Sequence, residues 1–302
     1  SGEANEKTDW VIQWTNLFRF QKSMRFKPEI FAWLIAVFYF FFNLGFLSCQ
    51  YNFDGTVFSL NLESVKAGAN FGILLHPRHI LYEAVGYGFW NFLLLIGLKI
   101  RAILALQLFN LLLSSINVAI FALNLMLIRP DKKWLACLTS LGLGFSYAYW
   151  FLSLEAEVYI LAILILNITF YFMLKILGKK NFLINLRIRL IISSGFGAFL
   201  ALIVFGHLMY GLFFIPIIYF FNQLLYSIKN RDKLFLLIPL IFTSTSIILI
   251  VYILGFCLNH PCNLASQFQV DKFLKWVLGL ALPDTPFGYR ESYWLIGIKA
   301  PF

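Results

Sequence analysis

Stretches of about twenty residues almost free of charge recur along this chain, and short basic clusters separate them. That alternation limits the fold more than any other feature, because an apolar run of this length reads as a helix able to span hydrocarbon. The runs fall at 29–48, 102–128, 134–152, 158–177, 190–228 and 234–256. The 39-residue run 190–228 is long enough for two helices that turn near Gly206 and His207. Pro28 and Glu29 stand where a helix start tolerates them. A further apolar stretch, 80–98, carries Glu83 near its start and reads as an embedded helix that does not cross.

The basic clusters give the expected orientation. Arg19, Lys22, Arg25 and Lys27 precede the first run, and others lie at 129–133, 179–189 and 229–233. Placing all of them on the cytoplasmic side predicts seven spans and a cytoplasmic N-terminus. The expectation is therefore an all-α, polytopic transmembrane bundle of about seven spans, integral to a membrane, with a bacterial plasma membrane favoured over an ER membrane. Residues 1–28 form a cytoplasmic segment and 29–256 the bundle, with an external loop over 49–101. Residues 257–302 form an external segment that leads toward a further span. Only 13% of residues are charged, too few to cover a water-exposed globule of this size. The net charge of +10 sits in the separating clusters and forms no continuous stripe, so nucleic acid is excluded as a partner.

This topology gathers the acids and imidazoles on one side. His76, His79, His207 and His260 fall there, with Asp54, Glu63, Glu83, Glu155 and Glu157. Carboxylates beside a long apolar run usually face a cavity or water, which singles out Glu155 and Glu157, although both also suit a plain helix end. His76, His79 and Glu83 are spaced three and four apart and share a face if that segment is helical. They suit a divalent cation, or a phosphate with help from Arg78, or an ordinary amphipathic interface helix. Asp54, in Tyr-Asn-Phe-Asp-Gly, has the chemistry of a general base. Cys257 and Cys262 flank a loop and allow a disulfide, or a metal site with His260, while Cys137 reads as an inert core residue. Asn110, Asn117, Asn124 and Asn167 read as helix-packing groups. No phosphate loop, dinucleotide fingerprint or nucleophile elbow is present.

Three stretches resemble a known family. They are Phe53-Asp54-Gly55 with Gly68, His76-Pro77-Arg78-His79-Ile80-Leu81-Tyr82, and Phe145-Ser146-Tyr147-Ala148-Tyr149-Trp150 leading into Glu155-Ala156-Glu157-Val158-Tyr159. Together they resemble membrane glycosyltransferases of the GT-C superfamily, in the uncharacterised-domain branch of bacterial relatives of the protein O-mannosyltransferases. The resemblance covers about residues 30–177. It implies a GT-C-like bundle with juxtamembrane helices in the first external loop. It also implies transfer of a sugar from a polyprenyl-phosphate donor to an acceptor hydroxyl on the extracytoplasmic side.

On that reading Asp54 and Glu157, with Glu155, are the catalytic carboxylates, and His76, Arg78, His79, Glu83 and His207 bind substrate. The partners are a lipid-linked sugar donor, membrane lipid and a possible partner membrane subunit. A divalent cation is possible, although Gly55 replaces the second acid that some branches carry. Many members are longer, so the chain is expected to belong to a longer parent or to need a partner. A non-catalytic assembly subunit and a transporter are the competing readings.

Overall fold

A computed structural model describes residues 28–47, 51–177, 186–206, 230–259 and 270–277. Among the described residues every regular element is a helix: α1 (Pro28–Leu44), α2 (Phe53–Lys66), α3 (Tyr82–Leu95), α4 (Ala102–Ile128), α5 (Lys133–Gly144), α6 (Tyr147–Leu154), α7 (Tyr159–Leu177), α8 (Leu186–Gly206), α9 (Asn230–Asn259) and α10 (Val270–Val277). A short 3-10 turn, Phe71–Leu74, lies between α2 and α3. Two turns end on left-handed glycines, Gly68 at φ 104° after α2 and Gly97 at φ 91° after α3.

The centre is α4, whose 27 residues make a rod roughly 40 Å long. Helices α1, α2, α3, α5, α6 and α7 pack around it. Leu106, Leu111, Val118 and Ala122 of α4 are fully buried in the main core with Tyr39, Leu62, Tyr82 and Ile160. A stripe of polar residues runs down the same helix and ties it to its neighbours. Asn117 Nδ2 donates to the Tyr149 hydroxyl and Asn167 Nδ2 to Asn117 Oδ1, each at 2.7 Å. Asn124 Nδ2 donates to the Asn167 carbonyl at 3.0 Å, and the Tyr149 hydroxyl to the Ser114 carbonyl at 3.1 Å.

A second core joins α8, α9 and α10 to the segment before α3: Ile80, Ala201, Val204, Phe205, Tyr252, Phe256 and Trp276. Its polar seam is specific. The Tyr252 hydroxyl donates to the Pro77 carbonyl at 2.7 Å, and the Leu81 amide donates to the Phe205 carbonyl at 3.1 Å. Asn70 Nδ2 donates to the Leu258 carbonyl at 2.9 Å. A Cβ on Gly72 would fall 2.4 Å from that same carbonyl oxygen, so only glycine allows this approach.

The seven-span expectation does not survive. Among the described residues two helices are long and apolar enough to cross a membrane, Ala102–Ile128 and Leu237–Asn259. The number is three if Lys133–Gly144 and Tyr147–Leu154, bent by 65°, are one span. The reason is local. The first run stops as α1 at Leu44, after 17 residues. The run 134–152 breaks at Gly144–Ser146, where the Ser146 hydroxyl turns back onto the Leu143 carbonyl at 2.6 Å. Tyr159–Lys175 and Leu190–Gly206 are apolar but short. The polytopic GT-C-like bundle and the integral, multi-span plasma-membrane placement are both corrected on this count. His207, His260, Cys262, the N-terminal basic cluster and the second half of the 190–228 hairpin lie outside the described residues.

Candidate functional site

The site is built where the N-terminus of α2 meets the link between α6 and α7. Asn52 caps α2: its Oδ1 accepts from the Gly55 amide at 2.6 Å, satisfying a first-turn donor that no carbonyl can reach. Its Nδ2 donates to Glu157 Oε1 across the junction. Gly55 lets the two backbones close, since a Cβ there would fall 2.9 Å from that of Ala156. From the other side Asn110 of α4, fully buried, donates Nδ2 to the carbonyls of Glu155 and Glu157, both at 2.7 Å. Two asparagines thus hold the link at Glu155 and Glu157.

The link presents Glu157 half-buried and Glu155 buried, while Asp54 lies exposed on the first turn of α2. Burial pushes the Glu157 carboxyl up, and the negative charges of Asp54 and Glu155 push it further, to about 7. The charges of Glu157 and then Asp54 add to burial in raising the Tyr159 phenol at the start of α7. Asp54 and Glu155 therefore act together on the Glu157 carboxyl through their charges.

A second group lies at the other end of α2. Asn61 Nδ2 donates to Glu83 Oε2 at 2.7 Å, and His79 Nδ1 stands 3.9 Å from Glu83 Oε1. His76 and His79 stack with ring centroids 4.3 Å apart and planes at 13°. The Arg78 backbone amide donates to His76 Nδ1 at 3.2 Å, which places the proton of a neutral His76 ring on Nε2. His76, His79 and Glu83 are thus brought together and buried, and the Arg78 side chain is exposed. Among the described residues no three His, Cys, Asp or Glu side chains are placed to hold a metal ion.

Tyr82 sits between the two groups. It is fully buried, and the charges of Glu157 and Glu83 add to burial in holding its phenol well above the ordinary value. Its ring meets Phe58 edge-on at 5.4 Å, and Phe58 meets the His79 ring in the same manner at 5.0 Å. Sequence reasoning took Tyr82 only as the end of a motif and Asn110 only as a packing group. It passed over Asn52, although Asn three residues before Gly55 is a helix-cap signal.

No family model, no curated protein and no solved structure matches the chain. The GT-C resemblance finds no support in these comparisons and is corrected, together with what rested on it. That includes sugar transfer from a polyprenyl phosphate, the lipid-linked donor, and the membrane-lipid and membrane-subunit partners. The multi-span frame that this chemistry needs is not what the described helices build.

Proposed function

We propose that the Asp54–Glu157 pair is a proton-exchanging binding site for a small organic cation, an ammonium on a short carbon chain. The observation that carries this reading is the position of Glu157. It is fixed by Asn52, half out of water, and the charges that reach it from Asp54 and Glu155 are both negative. Such a carboxyl keeps its proton near neutrality until a positive group takes the proton's place. Asp54 is exposed beside it and supplies the outer charge. Tyr159 at the start of α7 is near enough for both carboxylates to raise its phenol. Glu155 contributes through its field from inside the link.

On binding, the ammonium brings one positive charge and the Glu157 carboxyl gives up its proton to solvent, so charge balances at the site. Calorimetry with methylammonium and ethanolammonium, run in buffers of different ionisation enthalpy, tests this. The expected result is release of roughly half a proton per ligand at pH 7, as suits a group titrating there. Binding should be tighter at pH 8 than at pH 6 and lost in Glu157→Gln. Absence of binding at millimolar ammonium, or proton release that persists in Glu157→Gln, rejects the reading.

A further inference from the structure

We propose that Asn52 is the specificity-determining residue of the Glu157 site: by holding one oxygen of the carboxylate, it makes the site take an ammonium in preference to a guanidinium. The inference rests on the reading of Glu157 as a cation site and adds what that site selects. Asn52 is committed along its whole length. Its backbone, at φ −69° and ψ 163°, enters α2 from an extended conformation. Its carbonyl accepts from the Thr56 amide at 3.1 Å and from the Thr56 hydroxyl at 2.9 Å. Its side-chain Oδ1 accepts from the Gly55 amide at 2.6 Å, and its Nδ2 donates to Glu157 Oε1. The amide cannot be turned over, because that would set its N–H groups against the Gly55 N–H and its oxygen against a carboxyl oxygen. The start of the helix therefore dictates that a nitrogen faces Glu157.

The backbone that carries Glu157 is held in place as well. Asn110 donates to its carbonyl and to that of Glu155, both at 2.7 Å. Gly55 brings α2 so near the link that a Cβ there would fall 2.9 Å from the Ala156 Cβ and 3.2 Å from the Ala156 carbonyl oxygen.

A carboxylate offers about four acceptor positions, shared between its two oxygens. Asn52 takes one on Oε1, and the Val158 amide is a second donor to the same group. A guanidinium binds a carboxylate best through a planar fork, with one N–H on each oxygen. With a nitrogen already seated on Oε1, that fork loses one of its prongs. An ammonium is a compact point charge whose donors rotate freely, so one position on Oε2 suffices. Glu157 is half-buried, which leaves the other N–H groups of the ammonium to water. In the acid form the Asn52 amide rests on the carbonyl oxygen, and the proton sits on Oε2. Binding breaks that O–H bond, sends the proton to solvent and puts an ammonium N–H in its place on the same atom.

The test is calorimetry of the full chain with methylammonium and methylguanidinium, which are matched in charge, in the wild type, Asn52→Ser and Asn52→Asp. Serine and aspartate both cap helices. Serine is too short to bridge to Glu157, and aspartate brings an oxygen where the nitrogen stood. Circular dichroism checks that both variants keep their helix content. In the wild type methylammonium is expected to bind about tenfold more tightly than methylguanidinium. In both variants that ratio is expected to fall to about twofold or less, through tighter guanidinium binding. A structural role alone would weaken both cations together and leave the ratio as it was. The proposal is overturned if the wild type binds the two cations equally, or if its preference survives in the folded variants. A wild-type chain that binds neither cation instead sinks the cation-site reading, and this inference with it, so the two failures are distinguishable.

Discussion

A carboxyl held at about 7 in the fold and near 4.5 outside it makes folding itself pH-dependent. The folded chain then binds more protons than the unfolded one between those values. Stability is full below pH 4.5 and falls as pH rises toward 7. The whole shift is worth about 3 kcal/mol, and partial exposure of Glu157 reduces it to about 1–2 kcal/mol. Thermal unfolding should show a Tm roughly 2–5 °C lower at pH 8 than at pH 5 from this group. Glu157→Gln should remove that difference, and a slope unchanged in the variant would assign it elsewhere. Asp54→Asn removes one of the two repelling charges, so the Glu157 midpoint should fall toward 4.5 in a carboxyl-carbon titration. At this scale the sequence drew attention to Glu155 and Glu157, because a carboxylate beside an apolar run needs a reason to be there. It was silent on Asn52, whose partner Glu157 lies 105 residues away along the chain.

Among the elements, the 155–157 link is the piece most dependent on side chains for its shape. Asn110→Leu keeps the volume roughly but strands two buried carbonyls, and should cost about 2–4 kcal/mol in denaturant unfolding. Gly55→Ala should separate α2 from the link, because the added methyl meets Ala156 and Asn52 Oδ1. The Glu157 midpoint should then fall as the carboxyl gains water, and a midpoint that stays at about 7 would show that the close approach is not what dries it. Helix identity was legible from apolar runs, and α4 matches its expected range of 102–128. Helix length was not. A run of apolar residues is continuous in composition even where Gly144 and Ser146 break the helix and let the Ser146 hydroxyl close the turn. Hydropathy counts residues, whereas a span depends on unbroken rise, and this difference misled the topology.

At the level of the molecule, two cores meet at the segment 70–82, which belongs to both. Gly72→Ala should push the Leu258 carbonyl away and loosen that seam. Amide exchange is expected to quicken at residues 70–81 and 247–259 while α4 stays protected; uniform change would mean that the two cores unfold as one. Among the described residues the apolar surplus goes to two places. Part fills these cores, and part stays exposed on the outward faces of α1 and α9, as at Val37, Phe38, Phe41, Ile241 and Phe242. No periodicity argument separates the two destinations when both faces of a helix are apolar.

The amide stripe on α4 has one more effect. Asn110, Asn117 and Asn124 are a whole number of heptads apart, and each grips a different backbone or side-chain partner. A slide of α7 by one turn would break the Asn167 bonds to Asn117 and Asn124 together, and Tyr149 ties α6 to Asn117, so the neighbouring helices are indexed to α4 like teeth on a rack. Mutations can therefore accumulate on the outer faces and change the molecule's girth while the spacing between Asp54, Tyr82 and Glu157 stays fixed to a fraction of a helical turn.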